Sequence, residues 1–289
     1  MIIYITILAV LLGSAQATSQ EHTIRKYGSN THLVIKFFMV GIFSLLISMI
    51  QEFISGSNYL NMFYIEPTIY SFAYILLAVI IMLITSTIYN KMIEKSVSIY
   101  LVKLIIKLVI LITLCIEIFN NTITLNIFNV LGIIIFIVGY ILLFTNKEEF
   151  KCKISNVGLI LVPILLLLKV ALPYIERYIL VNDYTNITTL VAIQNISIAA
   201  VYFIIFGVRF KITKDMFKEY FFQSLFCAMS VVLFKVVLKE SVVMYVISNS
   251  LVIIGIMLFS KVFLKKKISI KEYWIILCIL IGYVMININ

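Results

Sequence analysis

Charge is scarce in this chain: Asp, Glu, Lys and Arg make up 12% of its 289 residues, about half of what a soluble domain carries. Proline occurs three times, histidine twice and tryptophan once. Two histidines, His22 and His32, and four solitary cysteines, Cys115, Cys152, Cys227 and Cys278, leave no spacing suited to a zinc site or a disulfide framework. The cysteines read as structural, and neither a metal nor another cofactor is expected. No Gly-rich phosphate loop is present. An enzyme would also need a paired acid and base or a nucleophile beside its base, and no span carries a carboxylate pair, so catalysis is not expected.

What fills the chain instead is apolar. Hydrophobic residues make up 63% and the mean hydropathy is +1.14, more apolar surface than a single soluble core of this length can hide. A crossing of about 30 Å of hydrocarbon needs about twenty apolar residues. Runs of that length fall at 2–20, 33–51, 67–89, 98–117, 123–144, 155–175, 187–207, 219–238, 242–260 and 272–288. They are too long and too uniformly apolar for the alternating strands of a lipid-facing barrel, and an open chain in lipid satisfies its backbone only as helix. The expected fold is therefore an all-α integral membrane protein of ten transmembrane helices, with the lipid bilayer as its surroundings. Ala15-Gln16-Ala17 resembles a signal-peptidase site, but the segment before it has no positive charge, and Arg25 and Lys26 follow the apolar run rather than precede it. It reads as a first span.

The net charge of +10 does not mark a nucleic-acid binder, because the basic residues sit at the ends of apolar runs rather than on one wet face. Their distribution is lopsided. The odd-numbered connections hold Arg25 and Lys26; Lys91 and Lys95; Lys147, Lys151 and Lys153; Arg209, Lys211, Lys214 and Lys218; and Lys261, Lys265, Lys266, Lys267 and Lys271. The even-numbered ones hold only Arg177 and Lys239. The positive-inside rule then puts the odd connections in the cytoplasm of a bacterial cell and both termini outside its cytoplasmic membrane.

Two strings recur at nearly one offset. Lys95-Ser96-Val97-Ser98-Ile99-Tyr100 reads like Glu240-Ser241-Val242-Val243-Met244-Tyr245, 145 residues on, and Val138-Gly139-Tyr140-Ile141 like Ile281-Gly282-Tyr283-Val284, 143 residues on. They divide the chain into halves, 1–145 and 146–289, of five helices each. An odd number of crossings turns the second copy over, which makes an inverted repeat, the construction behind alternating access around a midplane site.

In these features the chain resembles the drug/metabolite transporter superfamily, EamA-type branch. The likeness rests on the helix count, the two halves and the way each half closes: Thr122-Ile123-Thr124-Leu125 before Leu131-Gly132 and Val138-Gly139-Tyr140, and Lys267-Ile268-Ser269-Ile270 before Ile281-Gly282-Tyr283. The acidic residue often found before these closing helices is missing; Asn120 and Asn121 stand there in one half, Lys265 and Lys266 in the other. Cytoplasmic termini, usual in that family, also conflict with the charge pattern. The resemblance implies a secondary transporter of a small metabolite, an amino acid, an organic anion or zwitterion, or a drug-like compound. It also implies a central cavity lined by the first four helices of each half, with the fifth and tenth outside it. A lipid-linked sugar or headgroup flippase component is the alternative it permits, and a homodimer is a candidate assembly.

Within the spans, a charged side chain at depth costs at least about 2.5–3.5 kcal/mol on insertion scales, so it faces a cavity, a partner or an interface within reach. Lys36 and Lys235 lie near helix ends and are expected to snorkel. Lys103 and Lys107 share a face of the fourth span, Lys107 about 13 Å deep. Lys169 lies deep in the sixth, between Pro163 and Pro173. With them, Gln16, Gln194, Asn195, Tyr245, Ser248 and Asn249 form the expected substrate-binding set, and the lysine excess favours an anionic or zwitterionic solute.

Overall fold

The computed structural model describes residues 2–55, 63–94, 99–120, 126–145, 156–206, 213–264 and 270–286. They form ten helices: α1 (Ile2–Tyr27), α2 (Ser29–Ser55), α3 (Ile69–Glu94), α4 (Ile99–Phe119), α5 (Ile127–Thr145), α6 (Asn156–Val181), α7 (Ile187–Phe206), α8 (Lys214–Glu240), α9 (Val242–Leu264) and α10 (Ile270–Ile286). No strand occurs among the described residues; a lone bridge joins Ile65 to Thr185.

Several helices overrun the apolar spans read from sequence. Hydropathy registers where a helix meets lipid, whereas its hydrogen bonds continue into polar end turns. Thus α1 continues through Arg25 and Lys26 to Tyr27, and α8 starts at Lys214, where the Thr213 hydroxyl accepts from the Met216 amide at 3.2 Å. Gly28 ends α1 with φ 83°, a left-handed turn that costs glycine little and other residues more. Asn126 and Asn129 cap α5 reciprocally: each side-chain oxygen accepts from the other's amide, at 3.1 and 2.8 Å. A single extended residue, Ser241, separates α8 from α9.

Among the described residues six helices are long and apolar enough to cross a membrane: α1, α2, α3, α7, α8 and α9, by length and composition. Shorter apolar stretches, Val109–Phe119, Ile127–Gly139 and Tyr273–Ile286, lie in α4, α5 and α10. The second half of α6 carries Lys169, Glu176 and Arg177. Large apolar side chains point away from the bundle along several helices, for example Phe72, Leu76 and Ile80 on α3 and Trp274, Leu277 and Ile281 on α10. Such a surface suits lipid and not water.

The halves interleave. Helix α1 packs on α8 and α9, and α6 on α3 and α4. Helices α2 and α7 form an extensive antiparallel pair: Leu33 and Phe37 meet Ile198 and Tyr202 at one end, and the Thr188 hydroxyl donates to Ser48 Oγ at 3.0 Å at the other. Helices α5 and α10 form a second antiparallel pair off to one side. A Cβ on Gly132 would lie 2.8 Å from the Ile286 nitrogen, and one on Gly282 would lie 2.7 Å from that of Phe136. Backbones this close require small residues at the crossing. Asn129 Nδ2 fastens the end of the pair by donating to the Ile286 carbonyl at 3.0 Å.

Candidate functional site

Polar side chains on the inward faces of seven helices surround a cavity of about 280 Å3. Helix α1 contributes Gln16 and Gln20, α2 Lys36, α3 Ser86 and Asn90, α6 Lys169, α7 Asn195, α8 Ser230 and Lys235, and α9 Tyr245 and Asn249. Phe37, Met82, Phe234 and Val252 supply apolar wall between them. None of the described lining residues belongs to α5 or α10.

Local structure explains why these groups point inward. In α1, Gln16 and Gln20 are one turn apart and share a face; Gln16 Nε2 donates to Gln20 Oε1 at 3.1 Å. That register is held by small residues where α1 meets its neighbours. Ser14 Oγ donates to the Val252 carbonyl of α9 at 3.1 Å, and Ser230 Oγ of α8 donates to the Ala9 carbonyl at 2.8 Å. In α6, Pro173 has no amide hydrogen to offer the residue one turn earlier, which is Lys169. The Lys169 carbonyl therefore lacks its usual helical donor beside the cavity that its side chain lines. A smaller recess of about 70 Å3 opens there between Pro173, Lys169, Tyr245 and Asn249.

The charges are arranged asymmetrically. Lys235 forms an ion pair with Glu176, and the two side chains are 5% and 2% exposed. Gln194 Nε2 donates to the other carboxylate oxygen at 2.8 Å, so both oxygens of Glu176 are engaged. Lys36 is 6% exposed, its ammonium 5.9 Å from the Phe37 ring centroid. The carboxylate nearest this set is thus already bound.

The expected site residues therefore separate. Gln16, Lys169, Asn195, Tyr245 and Asn249 come together in the cavity. Gln194 stands behind its wall, on Glu176. Ser248 is fully buried with its hydroxyl unpartnered and does not line the cavity. Lys103 and Lys107 belong to the first half of α4, and their side chains lie outside the described residues.

The snorkelling expected of Lys36 and Lys235 is wrong: both are buried and line the cavity. Distance from a helix end says how far a side chain could reach, but which way it points depends on the helix face. The face of α2 bearing Lys36 is turned to α8, where Ser224 Oγ approaches the Lys36 carbonyl. Sequence reading also passed over Gln20, Ser86 and Asn90. The one-turn spacing of Gln16 and Gln20, and of Ser86 and Asn90, was the available signal.

Ion pairs and polar groups mark both ends of the bundle. At the end where α1 passes into α2, Lys26 pairs with Glu219 at 2.6 Å. There His32 Nδ1 lies 3.3 Å from both Thr23 Oγ1 and the Tyr220 hydroxyl. At the opposite end Lys239 pairs with Asp183 at 2.8 Å beside a second space of about 290 Å3, lined by Glu52, Asn186 and Thr188 among others. Helix α8 borders both spaces, with Lys235 in the cavity and Val236 and Lys239 in the second one. Among the described residues no group of three His, Cys, Asp or Glu side chains could hold a metal ion.

Fold and cavity define a class: an all-helical bundle with an apolar exterior and a polar inner site richer in lysine than in carboxylate. No protein-family model matches the sequence, and no curated protein matches it either.

Proposed function

We propose that this protein is a multi-pass transporter of the cytoplasmic membrane that moves a small metabolite by alternating access. The observation that carries this is the cavity itself. Three lysines and a set of amides face one another inside a bundle whose outer surface is apolar. Burying such groups is costly unless they are paired or hydrogen-bonded, so ionisable groups kept inside a membrane bundle mark a functional site.

The packing supports an inverted repeat. Exchanging α1–α5 for α6–α10 in order turns the contacts of α1 with α8 and α9 into those of α6 with α3 and α4, and both sets occur. It turns α2 against α8 into α7 against α3, which also occurs. The pairs α2/α7 and α5/α10 map onto themselves, and each runs antiparallel, as helices related by inversion must. The cavity takes walls from both halves, so rocking one half against the other would expose it to each side in turn. This reading agrees with the resemblance to the drug/metabolite transporter superfamily, and the side pairing of α5 with α10 suits the peripheral place that resemblance gives them.

The test is solute counterflow. Purified protein in liposomes loaded with a mixture of metabolites should accumulate those radiolabelled solutes that it carries, and Lys169→Met should abolish the uptake. Retention of full uptake in that variant would remove the cavity from the transport route. Movement of lipid-linked sugars or headgroups alone would identify a flippase.

A further inference from the structure

We propose that the solute is a small dianion whose two negative groups are held by Lys36 and Lys169. The inference rests on the transporter reading for its biological meaning, but its physical argument concerns the cavity alone.

Four charged side chains belong to this region, and two cancel. Lys235 is neutralised by Glu176, whose second oxygen is taken by Gln194. Lys36 and Lys169 have no ion-pair or hydrogen-bond partner for their ammonium groups among the described residues, and both face the cavity. An ammonium in a low-dielectric interior is costly without a counter-charge, and two of them are best matched by two negative groups. No carboxylate lines the cavity among the described residues. A cationic or zwitterionic solute would bring a positive group that meets no free carboxylate there. A monoanion would leave one lysine uncompensated.

Size and placement narrow the class further. At about 280 Å3 the space lies near the lower limit for small-molecule sites, about 300–1,000 Å3, which fits a metabolite better than a drug-sized compound. Gln16, Asn195 and Asn249 line the same cavity and offer neutral hydrogen-bonding groups. Lysine binds phosphate or carboxylate as a point charge, without the planar fork that arginine uses to select between them. The shared chemistry is therefore two negative charges on one small molecule, a dicarboxylate or a phosphate monoester. Because Lys36 stands on α2 and Lys169 on α6, such a molecule would bridge the two halves.

The experiment is thermal unfolding and calorimetric titration of the full-length protein in detergent. The probes are succinate, glutarate and glycerol phosphate as dianions, butyrate as a monoanion, glutamine as a zwitterion and choline as a cation. At least one dianion should bind and stabilise the protein, and the other three probes should not. Lys36→Met and Lys169→Met should each weaken that dianion about tenfold to a hundredfold, as expected for loss of one charge-assisted bond. Lys169→Arg should retain most of the binding, which separates charge from packing if a methionine variant folds poorly.

Equal stabilisation by butyrate or glutamine, unchanged dianion affinity in both methionine variants, or no binding by any dianion would each overturn the inference. Counterflow separates the two readings. A dianion that binds but is never carried leaves the site and removes the transporter, whereas carriage of a neutral or zwitterionic solute alone keeps the transporter and removes the dianion.

Discussion

Lys235 of α8 and Glu176 of α6 form an ion pair with hardly any exposure, and Gln194 of α7 completes the carboxylate's coordination. Three helices of the second half are thereby tied at one level of the cavity wall. The pair matters less as a source of net stability than as a constraint, because the desolvation of two buried charges offsets much of their attraction.

Removing one partner leaves the other charge uncompensated. Glu176→Gln and Lys235→Met should each destabilise the protein by about 3–5 kcal/mol, seen as a lower unfolding temperature in detergent. The double variant should recover most of the loss. If the double variant is as unstable as the worse single one, the pair's role lies in shape and not in charge.

The crossing of α5 and α10 offers a contrasting case. Backbone atoms of Phe136 and Ile286 occupy the space that a side chain on Gly282 or Gly132 would need, and backbone cannot rotate away as a flexible side chain can. Gly282→Leu should therefore cost more than the about 1–3 kcal/mol of ordinary overpacking. Ligand affinity of the fraction that stays folded should be unchanged, since neither helix contributes a described residue to the cavity. A selective loss of affinity in Gly282→Leu would show that the pair is coupled to the site.

How far the sequence could be read depended on which physical signal each feature carries. The helices were legible because about twenty apolar residues in lipid have one economical conformation. Lys169 and Gln16 stood out because they interrupt such runs at depth. The inward faces were harder to read. Hydropathy is nearly uniform around a helix that meets lipid on one side and apolar neighbours on the other, so periodicity does not say which way Lys36 or Lys235 points. Their burial follows from α2 and α6 packing against α8, a tertiary fact. The engagement of Glu176 was hidden for the same reason: its partners lie on α7 and α8, and no sequence spacing links them.

Two free cysteines report on the environment of the bundle. Cys227 lines the cavity, whereas Cys115 lies on the outer surface of α4. A membrane-impermeant maleimide needs a hydrated thiolate. In protein embedded in liposomes, a variant retaining only Cys227 should react, and a bound dianion should slow that reaction. One retaining only Cys115 should stay unlabelled in lipid and react after transfer to urea. Rapid labelling of Cys115 in intact liposomes would contradict a lipid-facing outer surface.

Orientation rests on the basic residues. The segments rich in lysine and arginine are the odd-numbered connections, and the turn between α6 and α7, with Asn182 and Asp183, belongs to the even set. A single cysteine at Asn182 should be labelled by impermeant reagent in intact cells, and one at Lys211 only after the membrane is permeabilised. The reverse pattern would place both termini in the cytoplasm, against the charge bias but in agreement with the resembled family. The second space beside Asp183 and Lys239 would then face the cytoplasm, and a solute arriving from outside would first meet the end of the bundle that carries Lys26 and Glu219.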